Sequence, residues 1–320
     1  MPPLAHRARC CAHRRYRGYL NAMSETATHE LRKDSHTRIT LALDILRRLT
    51  DGPCAGYHEL AVVKHRIDLH DSIVMADAAA TGLRCDDPRV PTGDSNLCLR
   101  AVALVRQRFG IERHVAIELE KRIPLMGGLA GGSANAATTL EMLNELWELG
   151  LGVSELRALG RELGMDVPYY FGSATALDIE TTSDIRPLPD TLTFHFVLVV
   201  PTFGVSTPQA YAGLDYDAIG RSRSLTDAML EAWQAGDRER VLVAIHNDFE
   251  QSIFARHPEL GRIRESLLSL GCEAAWMSGS GSTIVGVVAD REQGQAVRDA
   301  LTGRALPIDR VLLAQSLEHE

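Results

Sequence analysis

At 320 residues and 45% hydrophobic content the chain is long enough for one large or two medium domains, each with its own core. A formal net charge of −8 argues against nucleic acid as a bulk partner, and no apolar run approaches the roughly 18 residues that cross a bilayer. Cys10, Cys11, Cys54, Cys85, Cys98 and Cys272 form no C-x-x-C pair and no metal cluster, the usage of a reduced, cytoplasmic protein.

Residues 1–22 carry Arg7, Arg9, Arg14, Arg15 and Arg17 and no acid. Such a leader is a targeting segment, a disordered tail, or a stretch ahead of a true start at Met23. Lacking an apolar stripe, it is read with the next dozen residues as a disordered extension, 1–34. The body then opens near Ser35, with Ile39, Leu41, Leu43 and Ile45 alternating over a strand that Asp51-Gly52-Pro53 closes. Ala61–Ile67 and Asp71–Ala76 predict two further strands, and 82–95 reads as loop. Leu97–Phe109 predicts a helix capped by Ser95 or Asn96, and Val115–Leu119 a strand. Two helices are expected over Ala136–Leu149 and Val153–Leu163, the second opened by Ser154. Gly164-Met165-Asp166-Val167-Pro168 is expected to be loop, because proline disfavours helical geometry in the residue before it. Phe194–Val200 predicts a strand ended by Pro201. Helices follow near Thr226–Ala235, Arg238–His246 and Leu260–Leu270, then a strand over Thr283–Val288, a helix over Glu292–Leu301 and a last strand at Val311–Ala314. Grouped helices and hairpins indicate α+β rather than a doubly wound parallel sheet. A boundary at 185–192, around Pro187 and Pro189, divides the body into 35–190 and 191–320.

The most informative stretch is Pro124-Leu125-Met126-Gly127-Gly128-Leu129-Ala130-Gly131-Gly132-Ser133-Ala134, between a strand and a helix. Its glycines permit close backbone approach, and the positive end of the following helix suits a polyphosphate. A small-residue turn that only lets a helix pack closely is the plain alternative. No Lys-Ser/Thr follows the glycines and the G-x-G-x-x-G spacing is absent, which removes the P-loop and dinucleotide patterns.

The stretch resembles the second motif of the GHMP kinases. Tyr57-His58-Glu59-Leu60, Asp94-Ser95-Asn96-Leu97, Gly164–Pro168, Asn247-Asp248-Phe249-Glu250 and Met277–Ser282 also look like segments of that family, in order, over roughly 36–316. The resemblance implies a two-domain α+β kinase with its active site in the interdomain cleft, and ATP and Mg²⁺ as co-substrate and cofactor. It further implies a small-molecule cytidyl diphosphate substrate, phosphorylated on the 2-hydroxyl of its methylerythritol in the non-mevalonate route to isoprenoid precursors. Asp166 then has the role of catalytic base. Residues 124–134 and Asn96 contact the nucleotide, and Tyr57, His58 and Tyr211 hold the cytosine. Taken alone, Asp166 and Asn96 have a second reading as caps, and the two tyrosines as half-buried core residues. No resident metal site, nucleic acid or membrane is implied, and the oligomeric state is open, a homodimer being one alternative.

The chain departs from the family at its first strand, where Arg38 and Thr40 stand in place of Lys and Asn. Arginine keeps the charge but is a planar fork suited to bidentate carboxylate pairing. It either stabilises the phosphoryl transition state or engages both oxygens of Asp166 and slows proton removal. Thr40, shorter than Asn, reaches less of the methylerythritol end. Ala134 replaces a second serine, and about four residues, Pro53–Gly56, are inserted before Tyr57. Two other readings stay open: a different small-molecule kinase of the family, such as homoserine kinase, and a nucleotide-binding homologue with impaired catalysis.

Overall fold

Two compact units account for the described residues, 30–51, 55–182, 184–214 and 219–317 of the computed structural model. The leader, the turn at 52–53, Cys10, Cys11, Cys54 and the start of the inserted segment lie outside those residues. The units do not divide at one point on the chain. The first gathers residues up to Ser35, Asp71–Arg122 and Gly132–Phe171, and the second His36–His70, Ile123–Gly131 and the chain from Gly172 onward. The linear boundary expected at 185–192 does not coincide with this division. The reason is that two strands, β1 (Glu30–Arg48) and β2 (His58–Ala78), each contribute to both units.

β1 is longer than expected and starts inside the stretch assigned to the extension, where Leu31 and Ser35 are buried. β2 joins what reads as two strands. Its polar middle, Asp68-Leu69-His70, marks a change of partner rather than a break. Before it, Ala61–His65 pairs with β5 (Thr175–Ile179). After it, Ser72–Ala78 pairs antiparallel with β4 (His114–Glu120).

In the first unit β4 lies between β2 and a short parallel strand, β3 (Gly82–Cys85), within the segment expected to be loop. Three helices complete the unit. α1 (Leu97–Phe109) is capped by Asn96, whose Oδ1 accepts from the Cys98 amide. α2 (Gly131–Leu146) starts five residues earlier than expected, at the glycines themselves. α3 (Val153–Leu163) is capped by Gly152, with Glu155 reaching back to the Gly152 amide, rather than by Ser154.

In the second unit the edge strand β8 (His246–Asn247) runs parallel to β1, and β5 continues into a hairpin with β6 (Asp184–Pro187). A four-stranded antiparallel sheet has the order β11 (Ile308–Gln315), β7 (His195–Pro201), β10 (Ile284–Val288), β9 (Ala274–Met277). Around these strands lie α4 (Thr207–Ala212), α5 (Arg223–Gln234), α6 (Arg238–Val243), α7 (Phe249–Arg256), α8 (Pro258–Ser269) and α9 (Arg291–Leu301). β7 reads as an unbroken apolar run because both its faces are covered. Phe196 and Leu198 join Ile39, Leu41, Trp233 and Trp276 in one core, while Val197 and Val199 join Phe249, Ile263 and Leu267 in another. No helix among the described residues is long and apolar enough to cross a membrane.

Candidate functional site

The glycines of 124–134 mostly serve the chain itself. A Cβ on Gly128 would stand 2.1 Å from the Ser278 carbonyl oxygen and 3.0 Å from the Gly281 nitrogen. One on Gly127 would stand 2.8 Å from Thr283 Oγ1, and one on Gly131 would stand 2.8 Å from Ile123. Gly279, in turn, would place a Cβ 2.9 Å from the Gly128 carbonyl oxygen. The loop 124–131 and the loop 278–282 are therefore packed backbone against backbone. Gly132 differs: its Cβ would meet only Leu97, at an ordinary 3.7 Å, and it is exposed in the first turn of α2. The amides of that turn have no partner within the helix and carry its positive end. Met126 and Ala130 adopt left-handed backbone conformations (φ 54° and 53°), a local cost of about 1–2 kcal/mol each. Met126 projects into solvent, and Ala134 is buried.

Arg38 and Thr40 stand on β1 beside this pair of loops. Arg38 Nη1 donates to the Gly128 carbonyl and to Thr40 Oγ1, both at 2.9 Å. Ser278 Oγ accepts from the Thr40 amide at 3.2 Å and donates to the same Gly128 carbonyl at 3.3 Å. Thr37 Oγ1 donates to the Leu129 carbonyl, and Trp276 Nε1 to the Thr40 carbonyl at 2.6 Å. Thr40 is buried, and its hydroxyl oxygen steadies the likewise buried Arg38.

Of the aromatic residues expected to hold a base, His58 and Tyr211 come together in the same unit. The His58 ring lies on the Tyr211 ring with centroids 4.4 Å apart and planes 17° apart, and Phe249 meets Tyr211 edge-on at 5.0 Å. Tyr57 is 59% exposed and adjacent to His58 in the chain. Partial burial, reinforced by the positive charge of Arg48, lowers the His58 pKa, so the ring is neutral at neutral pH and has both a donor and an acceptor nitrogen.

Asp166 belongs to the first unit. The segment expected to be plain loop holds a 3₁₀ turn, Val167–Tyr170, with Asp166 at its cap position in a helical conformation (φ −79°, ψ −21°). Pro168 is accommodated because the opening positions of a helix need no amide donor. Val167, Pro168, Tyr169 and Tyr170 are all buried, and Gly160 of α3 leaves just enough room for Val167 and Phe171. A half-buried carboxylate thus stands on a turn that its neighbours hold rigid. In the same unit Asn96 has both ends of its amide engaged, Nδ2 donating to the Pro91 carbonyl at 2.7 Å and Oδ1 capping α1.

Two networks escaped the sequence reading. Asp71 is fully buried on β2; its Oδ2 accepts from Lys121 Nζ at 2.5 Å and Asn135 Nδ2 at 2.9 Å, and its Oδ1 from the Arg122 amide at 2.7 Å. Asn135, which directly follows the glycine-rich stretch, therefore ties the first turns of α2 to the sheet. The second network is Asn247–Glu250. Asn247 Nδ2 donates to the Met277 and Gly279 carbonyls, each at 2.7 Å, Asp248 Oδ2 accepts from the Ile45 amide at 2.8 Å, and Glu250 Oε1 from the Met277 amide at 2.7 Å. For the second network the signal available was the Asn247–Glu250 segment itself; for the first it was only Asn135 beside the glycines.

Comparison with known proteins identifies the family. The chain matches the GHMP kinases N terminal domain over residues 96–173 and the GHMP kinases C terminal domain over 229–307. It is 37% identical over 301 residues to the 4-diphosphocytidyl-2-C-methyl-D-erythritol kinase of Heliobacterium modesticaldum, covering 88% of this chain and 94% of that one. The chain belongs to the GHMP kinase family. The enzyme of the same name from Gloeobacter violaceus is also 37% identical, over 83% of this chain and 88% of its own. Among solved structures, a 4-(cytidine 5'-diphospho)-2C-methyl-D-erythritol kinase superposes with a TM-score of 0.73 at 29% identity, over 90% of this chain and all of that one. Homoserine kinase from Cytophaga hutchinsonii superposes with a TM-score of 0.65 at 17% identity, a likeness of fold alone. As a GHMP kinase, the chain is a small-molecule phosphotransferase, with ATP as the co-substrate its family implies.

Proposed function

We propose that this GHMP kinase transfers the γ-phosphate of ATP to the 2-hydroxyl of 4-diphosphocytidyl-2-C-methyl-D-erythritol. The observation that carries the substrate assignment is the stacked His58–Tyr211 pair, with the exposed Tyr57 next to His58 in the chain: such rings suit a flat base with a hydrogen-bonding edge. A homoserine-sized amino acid has no use for them. The relatives that are 37% identical bear the corresponding name. In this reading a base stacks on Tyr57 and the neutral His58 hydrogen-bonds its edge. The first turn of α2 receives nucleotide phosphate, with Asn96 near the adenine.

The 2-hydroxyl oxygen bonds to the γ-phosphorus as the bond from that phosphorus to the β–γ bridging oxygen breaks, releasing ADP. Asp166 takes the hydroxyl proton. Arg38, its Nη1 steadied by Gly128 and Thr40, supplies positive charge to the oxygens of the transferred group. Among the described residues no three His, Cys, Asp or Glu side chains converge as a metal cage. Mg²⁺, which prefers water and nucleotide phosphate as ligands, would come as a companion of ATP and would supply charge neutralisation at its phosphates. We place the reaction in a reducing cytosol, which suits scattered thiols such as Cys85, Cys98 and Cys272.

The test is ADP release by the purified protein with ATP and either the cytidyl substrate or homoserine. Turnover with the cytidyl substrate alone is expected. Turnover with homoserine instead overturns the assignment, and binding of the cytidyl substrate without ADP release favours the impaired-homologue reading.

A further inference from the structure

Asn247 commits both donors and the acceptor oxygen of its side-chain amide to neighbouring backbone. Both hydrogens of its amide are donated, to the Met277 and Gly279 carbonyls at 2.7 Å, and its oxygen accepts from the Phe249 amide at 3.0 Å. The opposite orientation of the amide would set its oxygen against two carbonyls, so these contacts fix which atom is which. The residue is buried on the edge strand β8, where its backbone is in register with Leu43 of β1. The two carbonyls it holds flank Ser278, the residue that receives the Thr40 amide and donates to Gly128.

Loop 278–281 has little freedom beyond this clamp. Gly279 lies at φ 55° and Gly281 at φ 84°, and the Ser278 carbonyl leaves no room for a Cβ on Gly128. The Gly128 carbonyl is also the acceptor for Arg38 Nη1. A displacement of Gly279 must therefore move Gly128, and with it the anchor of the guanidinium.

We propose that Asn247 is a positioning residue for phosphoryl transfer, acting through the Met277 and Gly279 carbonyls to fix loop 278–281 against Gly128 and so to aim Arg38. The proposal rests on the kinase reading above, with Arg38 serving the transferred phosphoryl group. Asn247 itself touches neither substrate.

Steady-state kinetics with ATP and the cytidyl substrate, alongside thermal unfolding, test it. Asn247→Ala is expected to lower kcat at least tenfold while KM for the cytidyl substrate stays within about twofold, since Tyr57, His58 and Tyr211 are untouched. A purely structural residue would lower the unfolding midpoint and leave the kcat of the folded fraction alone. Asn247→Asp provides a second variant of nearly the same shape that keeps the acceptor for Phe249. Its carboxylate would face two carbonyls, and only its protonated form could donate to one of them. Its kcat, relative to wild type, should therefore recover as the pH is lowered. A kcat within twofold of wild type for the folded fraction of Asn247→Ala, or a kcat ratio for Asn247→Asp that does not change with pH, overturns the proposal. Absence of ADP release by the wild-type protein would instead sink the kinase reading, so the two failures are told apart.

Discussion

Single residues carry the chemistry, and their surroundings decide what each substitution should do. Asp166 stands on a turn whose neighbours are buried, so Asp166→Asn should change its proton affinity with little change of shape. Phosphoryl transfer is expected to vanish while ATP and the cytidyl substrate still bind. Activity within about tenfold of wild type, only ~1.4 kcal/mol of barrier, would remove Asp166 as the base. Tyr57 is exposed and its hydroxyl is not needed for stacking. Tyr57→Ala should raise KM for the cytidyl substrate roughly tenfold, since base stacking on an aromatic ring is worth about 1–3 kcal/mol. ATP affinity should hold; the reverse pattern would mean that the cytosine binds elsewhere. Arg38 has one guanidinium nitrogen committed to Gly128 and Thr40. A lysine ammonium has three donors and can satisfy both acceptors while keeping the charge. Arg38→Lys should therefore retain or improve kcat, and Arg38→Ala should lose most of it. Equal kcat for wild type and Arg38→Ala would show that the guanidinium has no part in catalysis.

At the scale of elements, the Asp71 network shows how a strand, a loop and a helix are joined by one carboxylate. Lys121 has only 5% of its side chain exposed and Asp71 none. Removing one partner strands the other charge away from water, a loss of about 3–5 kcal/mol. Asp71→Ala should lower the urea midpoint accordingly, and adding Lys121→Met should restore much of it, because an apolar pair leaves no buried charge behind. Equal stability of Asp71→Ala and wild type would mean that the network contributes nothing. The same element-scale logic explains the misread stretches. The long polar middle of β2 reads as a break because its pairing partners, β4 and β5, are remote in sequence. The first turn of α2 reads as loop because glycine has low intrinsic helix propensity, yet Asn135 fastens that turn to Asp71.

Over the molecule as a whole, stability should depend on pH through His246. Its Nε2 lies 2.8 Å from Asp44 Oδ1 and its Nδ1 2.9 Å from the Ala244 carbonyl, so both ring nitrogens face acceptors. Burial alone would depress its pKa. The hydrogen bonds to Asp44 and Ala244, with the charges of Asp44 and Asp248, outweigh that and raise it above 6.5. A folded-state pKa above the unfolded value gives stability that is complete below about pH 6.5 and is lost as the pH rises through the folded value. Chemical unfolding followed across that window should show the decline, and His246→Gln should flatten it; an unchanged slope in that variant would assign the decline to another group. His65 stands in contrast. Enclosed by Phe194, Phe196 and Trp233, it has its pKa pushed down to about 3 by burial and stays neutral.

The α+β class, the family, and the elements with regular apolar periodicity, such as α1, α3, β4 and β7, were legible in the sequence by itself. Periodicity and motif order are local properties, and a short stretch of chain is enough to display them. What the glycines at 127 and 128 face, the partner of Asn135, the burial of Thr40 and the stacking of His58 on Tyr211 were decided only by tertiary structure. Each of these depends on a residue far away in the chain, and the same glycine-rich string accommodates a phosphate or a second loop equally well. The pattern of small residues shows that something must approach closely; only the folded chain brings Ser278 to Gly128.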